Sequence, residues 1–184
     1  YCSGGIFKKY TIESNRLLLK ELSLDDITDR YISWLNDPVV NQFLESRFVK
    51  HTYKSNQKFI KEIDQDPYTV LFGIFDKKNM KHIGNIKISS SNKDRLHRRA
   101  SIGFIIGEKS EWGKGYATEA IRVVTKYGFD NLNAIKIYAG CRESNIGSKK
   151  AMEKAGYSVE GFYRNHFETK KGREGGWQLG IFTD

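Results

Sequence analysis

The chain of 184 residues has few cysteines, few prolines and no long apolar run. Its two cysteines, Cys2 and Cys141, are too few for a disulfide framework, and its four histidines lack the spacing of a zinc site, so we expect no metal. Two prolines and an apolar content of 39% argue against a disordered chain. No stretch approaches the ~20 apolar residues of a membrane span, and residues 1–10 lack the apolar core of a secretory signal. We therefore expect a globular, cytoplasmic protein that is not embedded in a membrane.

Basic residues outnumber acidic ones, with 31 lysines and arginines against 22 acidic side chains and a net charge of +9. A positive surface attracts nucleic acids, anionic cofactors and acidic partners alike, so the sign of the charge does not choose among them. The densest basic runs, at 95–99 and 170–173, are not interleaved with the aromatic side chains on which bases stack. We expect no specific nucleic-acid binding.

The order of predicted elements indicates one α+β domain over residues 1–184, with residues 1–12 as a poorly structured N-terminal extension. Two helices follow the first strand, then three strands with short connections that favour antiparallel pairing, then alternating helices and strands. The predicted strands are 15–22, 69–76, 82–89, 99–108, 135–141, 159–168 and 176–182. The predicted helices begin at Ser23, after Thr52, near Ala117 and after Asn145.

The segment 111–120 reads Glu-Trp-Gly-Lys-Gly-Tyr-Ala-Thr-Glu-Ala and lies between a predicted strand and a predicted helix. Gly113 and Gly115 let successive backbone N–H groups converge, and the helix N-terminus adds partial positive charge, which Lys114 reinforces. A pyrophosphate fits such a loop, although a plain glycine turn before an amphipathic helix is the alternative. The segment has neither the Gly-Lys-Ser/Thr ending of a nucleotide P-loop nor the third glycine of a dinucleotide fingerprint.

This segment resembles the pyrophosphate loop of the GNAT superfamily of N-acetyltransferases, whose pattern is Arg or Gln, two residues, Gly, any residue, then Gly or Ala. Trp112 departs from the first position, whereas Gly115 and Ala117 match the later ones. The segment 145–157, from Asn-Ile-Gly-Ser to Gly-Tyr, resembles the branch that acetylates the N-termini of ribosomal proteins. The resemblance extends over nearly all of residues 16–182.

The resemblance implies α/β/α layers around a mixed, mostly antiparallel sheet of seven strands, with about four helices and a splay between the fourth and fifth strands. It implies that acetyl-CoA, the acetyl donor, lies in this splay, where a bulge in the fourth strand aims backbone N–H groups at the pantetheine arm and the thioester carbonyl. The implied cofactor-binding residues are Phe104, Ile105, Ile106, Trp112, Gly113, Lys114, Gly115, Tyr116, Ala117, Thr118, Asn145 and Ser148.

The resemblance also implies direct transfer of the acetyl group to a primary amine in a ternary complex. The acceptor would be a protein N-terminus or a small amine such as a nucleotide-linked amino sugar, and the enzyme a monomer or homodimer. A polyamine is less expected because it would require an acidic pocket. The competing class is a non-catalytic module that binds acyl-CoA, and turnover with any amine would eliminate it.

Three residues are the catalytic candidates. Ser148 would protonate the departing thiolate, and either Glu168 or His166 in the final hairpin would accept the proton of the amine. Glu108 is a further candidate for the base, whereas Cys141 has no neighbouring histidine and reads as a core residue. The alternatives are that Ser148 is only a small residue on a buried helix face, that Asn145 only caps its helix, and that Glu168 and His166 are solvated surface groups.

The loop after the first helix is expected to cover the acceptor, as it does in similar enzymes. Its polar residues are the implied substrate-binding set, with a polar surface loop as the alternative. They are Asn36, Asp37, Asn41, Glu45 and Arg47.

Overall fold

A computed structural model describes residues 10–183, and its eight strands form one sheet. Residues 1–9 of the expected N-terminal extension lie outside the described residues, whereas Thr11 and Ile12 at its end lie in a strand. The strands are β1 (Thr11–Glu13), β2 (Leu17–Glu21), β3 (Thr69–Asp76), β4 (Lys81–Ser89), β5 (Arg99–Ile106), β6 (Lys136–Arg142), β7 (Ser158–Thr169) and β8 (Gly172–Phe182). The helices are α1 (Asp29–Asn36), α2 (Tyr53–Asp64), α3 (Asn92–Leu96), α4 (Tyr116–Asn131) and α5 (Ile146–Lys154).

The sheet has the strand order β1-β2-β3-β4-β5-β6-β8-β7, and only β5 and β6 run parallel. Their pairing covers Arg99–Lys136, Ala100–Ile137 and Ser101–Tyr138, and then stops. Beyond it, β5 continues to Ile106 and β6 to Arg142 without pairing to each other. This opening confirms the predicted splay between the two strands.

Two apolar clusters pack on opposite faces of the sheet, because side chains alternate along each strand. On one face, Phe72 and Ile74 of β3 join Ile121 of α4 and Met152 of α5. On the other, Leu71 and Phe75 of β3 join residues of α1 and α2, including Tyr31, Trp34 and Ile60. The expected α/β/α layering is confirmed. No helix in the described part of the chain is both long enough and apolar enough to span a membrane.

The predicted count of seven strands and about four helices is corrected to eight and five among the described residues. β1 was missed because it is three residues long and has only one apolar residue, Ile12. α3 was missed because its segment is polar, and it begins at a capping box in which Ser91 and Asp94 exchange hydrogen bonds. The capping box at Ser23 starts only a short 3-10 turn, and Thr28 caps α1 instead.

The predicted bulge at Phe104–Ile106 is wrong, because β4 and β5 pair in unbroken register from Ser89–Ser101 to Gly84–Ile106. An irregularity follows directly after the strand. The N–H groups of Gly107 and Glu108 both donate to the carbonyl of Ile83, at 2.9 and 3.1 Å. Two residues opposite one are the mark of a bulge, so the distortion lies at the exit of β5 rather than within it.

Candidate functional site

The splay opens into a cleft of about 550 Å³ at the carboxyl end of β5. Four segments form its walls: the end of β5, the glycine loop before α4, the first turns of α5, and the loop after α1. Most of the predicted cofactor-binding residues meet here. Those that line the cleft are Phe104, Ile105, Ile106, Trp112, Gly113, Gly115, Tyr116, Ala117, Thr118, Asn145 and Ser148.

The glycine loop has the backbone geometry of an anion site. Gly113 and Gly115 have φ values of +75° and +81°, a left-handed conformation that other residues adopt only with strain. Gly115 is also the N-cap of α4 and offers no side-chain acceptor to the first N–H groups of that helix. These donors need an external partner, and a phosphate group provides one.

Contacts on both sides hold the glycine loop. The indole N–H of Trp112 donates to the carbonyl of Ile106 at 2.7 Å, which ties the loop to the end of β5. The ammonium of Lys114 donates to Glu111 at 2.8 Å, and this hydrogen bond raises the pKa of Lys114. Lys114 is not among the described residues that line the cleft.

The backbone of β5 presents donors to the cleft at alternate residues. Because Gly107 donates to Ile83 of β4, alternation places the backbone groups of Phe104 and Ile106 on the open side. The carbonyl of Ile106, which accepts from Trp112, agrees with this direction. Ile105 pairs with Asn85, and its N–H faces β4, so its expected role as a backbone donor is corrected.

The first turn of α5 brings Asn145 and Ser148 to the cleft. The side-chain oxygen of Asn145 accepts the N–H of Ser148 at 3.3 Å, so Asn145 caps the helix. The Ser148 side chain is half-buried, and its hydroxyl makes no hydrogen bond within residues 10–183. That hydroxyl is therefore available to a ligand.

None of the three candidates for a base is among the described residues that line the cleft. Glu168 and His166 are exposed on β7, and neither lines the cleft. The imidazole of His166 packs between the rings of Tyr163 and Phe167, at centroid distances of 5.1 and 4.9 Å. Glu108 also lies outside the cleft lining, and Lys81 pairs with its carboxylate at 3.3 Å.

The loop after α1 does cover the cleft, but through residues other than the predicted ones. Asn36 exchanges hydrogen bonds with the backbone of His51, and buried Asn41 donates to the carbonyl of Leu35. Arg47 donates to the carbonyl of Leu44, while Glu45 is exposed. These polar side chains shape the loop. Its cleft-lining residues are Val39, Val40, Gln42, Phe43 and Leu44.

Asp37 fixes the start of the same loop. The ammonium of Lys109, in the short helical turn after β5, donates to its carboxylate at 2.7 Å. This ion pair joins the covering loop to the segment that leads into the glycine loop. The two walls of the cleft are thereby held together at one end.

Cys141 is buried in the main core, and burial raises the pKa of its thiol to about 11. A thiol with that pKa is almost entirely protonated near neutral pH, and only the thiolate is strongly nucleophilic. This agrees with a structural role for Cys141.

One ionic contact at the site was not foreseen. The guanidinium of Arg16 binds the carboxylate of Glu119 at 2.7 Å and the carbonyl of Lys114 at 2.9 Å. The ion pair joins residues 103 positions apart, so no local pattern indicates it. It fastens the turn between β1 and β2 to the glycine loop and to the first turn of α4.

The sequence profile of the acetyltransferase (GNAT) domain family matches residues 16–158. The chain belongs to this family and is an acetyl-CoA-dependent N-acetyltransferase. A relative, the uncharacterized N-acetyltransferase p20 of Bacillus licheniformis, is 28% identical over 165 residues, which cover 89% of this chain and 90% of the relative.

Solved structures show the same fold. Spermidine N-acetyltransferase from Vibrio cholerae, in complex with CoA and spermine, has a TM-score of 0.80 at 21% identity and covers 92% of this chain and 96% of its own. RimL, a ribosomal L7/L12 alpha-N-protein acetyltransferase in complex with CoA, has a TM-score of 0.81 at 14% identity, with 95% and 99% covered.

Proposed function

We propose that the cleft holds acetyl-CoA, with its pyrophosphate on the glycine loop and its thioester between β5 and β6, and that a primary amine attacks the thioester directly. The uncapped start of α4 and the two left-handed glycines support the position of the pyrophosphate. The unpaired edges of β5 and β6 offer backbone groups to the pantetheine arm, which would complete the sheet locally.

The residues in the cleft can then act on the reacting groups. The N–H groups of Phe104 and Ile106 face the open side of β5 and can stabilise the negative charge that develops on the thioester oxygen. The hydroxyl of Ser148 can protonate the departing sulfur. Buried Cys141, with its raised thiol pKa, is unsuited to carry the acetyl group, which supports direct attack in a ternary complex.

The charges in the cleft favour an acceptor that is not a polyamine. Glu111 is the one carboxylate among the described lining residues, and Lys114 already pairs with it at 2.8 Å. The lining also includes Lys150 and Lys154. A polyamine carries several positive charges and would be repelled here. We infer that the acceptor is a protein N-terminus or a small amine such as a nucleotide-linked amino sugar.

An acceptor screen tests this proposal. Purified enzyme with acetyl-CoA is assayed for free thiol release against peptides with free N-termini, amino sugars and their nucleotide conjugates, and spermidine. We expect turnover with a peptide or an amino sugar and at least about tenfold lower kcat/KM with spermidine, the cost of one unfavourable charge contact. Spermidine as the preferred acceptor would contradict the inferred acceptor class. An absence of turnover with every amine, together with tight acetyl-CoA binding, would favour the non-catalytic alternative.

The pH dependence tests whether Glu168 or His166 is the base. If none of the hairpin residues accepts the amine proton, kcat/KM should rise with pH until the acceptor itself is neutral, near pH ~8 for a peptide α-amine and near ~10 for an alkyl amine. Glu168→Gln and His166→Gln should retain this profile. If kcat/KM of the wild-type enzyme shows a further decrease at a pH below the pKa of the acceptor, and one of the two substitutions removes that decrease, that residue is the base, and the hairpin must approach the cleft during the reaction.

A further inference from the structure

Arg16 makes more contacts with the glycine loop than any local pattern suggests. Its backbone N–H and its Nε each donate to the carboxylate of Glu119 at 2.7 Å, and its Nη1 donates to the carbonyl of Lys114 at 2.9 Å. The guanidinium also lies over the ring of Tyr116, 4.4 Å from its centroid. One side chain thus contacts the loop and the first turn of α4.

Glu119 is the anchor of this arrangement. Its carboxylate accepts from the hydroxyl of Ser14 at 2.6 Å in addition to the two bonds from Arg16. Burial by itself would raise the pKa of Glu119, but the hydrogen bonds from Ser14 and Arg16 outweigh it and keep this pKa below its ordinary value. The carboxylate is therefore ionised near neutral pH, and it fixes the guanidinium in a single orientation.

The guanidinium is fixed with one nitrogen facing the glycine loop. A Cβ placed on Gly115 would lie 3.5 Å from Nη2 of Arg16, and no hydrogen bond within residues 10–183 occupies that nitrogen. Beside it lies a second cavity of about 520 Å³, which is lined by Asn15, Arg16, Gly115, Thr118, Glu119, Arg122 and Lys154. Gly115 and Thr118 line the main cleft as well, so the two spaces adjoin.

The loop's own side-chain donors are directed elsewhere. The indole N–H of Trp112 is bonded to Ile106, and the ammonium of Lys114 is bonded to Glu111. Of the cations that contact the loop, Arg16 combines a fixed orientation with an unoccupied N–H group. A planar guanidinium held in this way suits a phosphate oxygen.

We propose that Arg16 binds a phosphate group of acetyl-CoA through Nη2 while its other nitrogens hold the glycine loop, and that it thereby determines the preference for a phosphorylated donor. This inference rests on the proposed position of acetyl-CoA in the cleft. The phosphate is either the pyrophosphate or the 3′-phosphate of the adenosine, since both carry the same chemistry.

Three donors separate the possibilities: acetyl-CoA, acetyl-dephospho-CoA, which lacks the 3′-phosphate, and S-acetylpantetheine, which lacks every phosphate. For Arg16→Met we expect KM and Kd for acetyl-CoA to rise about 10- to 100-fold, the loss of a charge-assisted hydrogen bond, with the penalty on KM rather than on kcat. The ratio of variant to wild-type KM should fall to about 1 with S-acetylpantetheine, because no phosphate contact remains to be lost. A penalty that persists with acetyl-dephospho-CoA assigns the pyrophosphate, and one that disappears assigns the 3′-phosphate.

Arg98→Met is the matched control. Arg98 is an exposed arginine whose Nε and Nη2 bind Asn133, just beyond the opposite end of α4, so the variant loses the same charge and a similar pair of bonds far from the loop. It should bind all three donors like wild type. Because Arg16→Met leaves Glu119 without its cation, Arg16→Met/Glu119→Gln is measured beside it, and it should keep the selective penalty with a recovered Tm.

Two results would overturn the inference. One is that both Arg16 variants raise KM by the same factor with acetyl-CoA as with S-acetylpantetheine, which would mean that Arg16 only supports the loop. The other is unchanged acetyl-CoA affinity in both. The position of the donor itself is tested separately at Gly115: if a bulky residue there abolishes binding while the Arg16 variants bind normally, only the role of Arg16 fails.

Discussion

Gly115→Val is expected to abolish acetyl-CoA binding. Gly115 has φ of +81° at the start of α4, a conformation that costs a residue with a Cβ about 1–2 kcal/mol and a β-branched residue more. Apart from neighbouring residues in the chain, the only described atom within 4 Å of the added Cβ would be Nη2 of Arg16, at 3.5 Å, so the valine side chain would enter the space assigned to phosphate. Wild-type protein at 100 times the Kd of acetyl-CoA gains ~2.7 kcal/mol of stability, and the variant should gain none. Thermal unfolding and titration calorimetry with and without acetyl-CoA measure both quantities.

The chain offers a matched control at Gly172. This glycine is the first residue of β8, directly after the turn from β7, and has φ of +120°; an added Cβ would meet no atom within 4 Å apart from its chain neighbours. Gly172→Val therefore carries a comparable backbone strain away from the cleft, and it should lower Tm while retaining acetyl-CoA affinity. Equal affinity in Gly115→Val and wild type would remove the glycine loop from the cofactor site.

The parts of the site that could be predicted from the sequence are those that local chemistry fixes. The two glycines and the helix behind them indicate an anion loop, and the apolar spacing of Ala120, Ile121 and Val124 identifies the face of α4 that is buried. Asn145 is likewise recognisable as a cap because capping depends on neighbours in sequence. Each of these features depends only on residues that are close together in the sequence.

The remaining parts depend on contacts between distant segments. The choice of Asn36, Asn41 and Arg47 as acceptor residues assumed that polar side chains on a covering loop face the ligand. In the structure they satisfy backbone groups of the loop itself, and apolar neighbours such as Phe43 line the cleft. The backbone N–H and C=O groups of an irregular segment need hydrogen-bond partners. Polar side chains that supply these hydrogen bonds are then not available to bind a ligand.

The two hairpin candidates for a base, Glu168 and His166, also depend on structure that local sequence does not fix. The register of β7 is interrupted between Tyr163 and Phe167, so which face each residue presents there does not follow from simple alternation. His166 lies within this interruption and Glu168 follows it, and both residues are exposed. Sequence spacing assigns them to the final hairpin, but which way their side chains point depends on the interruption and on the pairing with β8.

Ser148→Ala is expected to lower kcat by about 100-fold or more, the ordinary contribution of a proton donor, while the Kd for acetyl-CoA stays close to the wild-type value. The hydroxyl lies in the cleft without a hydrogen-bond partner in the described part of the chain, so its removal leaves no buried group unpaired. Initial rates at saturating acetyl-CoA and acceptor give kcat, and calorimetry gives Kd. The two measurements separate chemistry from binding.

Ser144→Ala is the control, because Ser144 also lines the cleft and the variant loses the same hydroxyl group. This variant should retain most of the wild-type kcat.

A second acetyl donor tests the role of Ser148 more directly. An acetyl thioester with a more acidic leaving thiol needs less protonation, so the ratio of wild-type to Ser148→Ala rates should shrink towards 1 with such a donor. If the ratio is the same for both thioesters, Ser148 positions the reacting groups and does not donate the proton to the sulfur. If Ser148→Ala retains full turnover with acetyl-CoA, the residue only packs at the start of α5, and water protonates the sulfur.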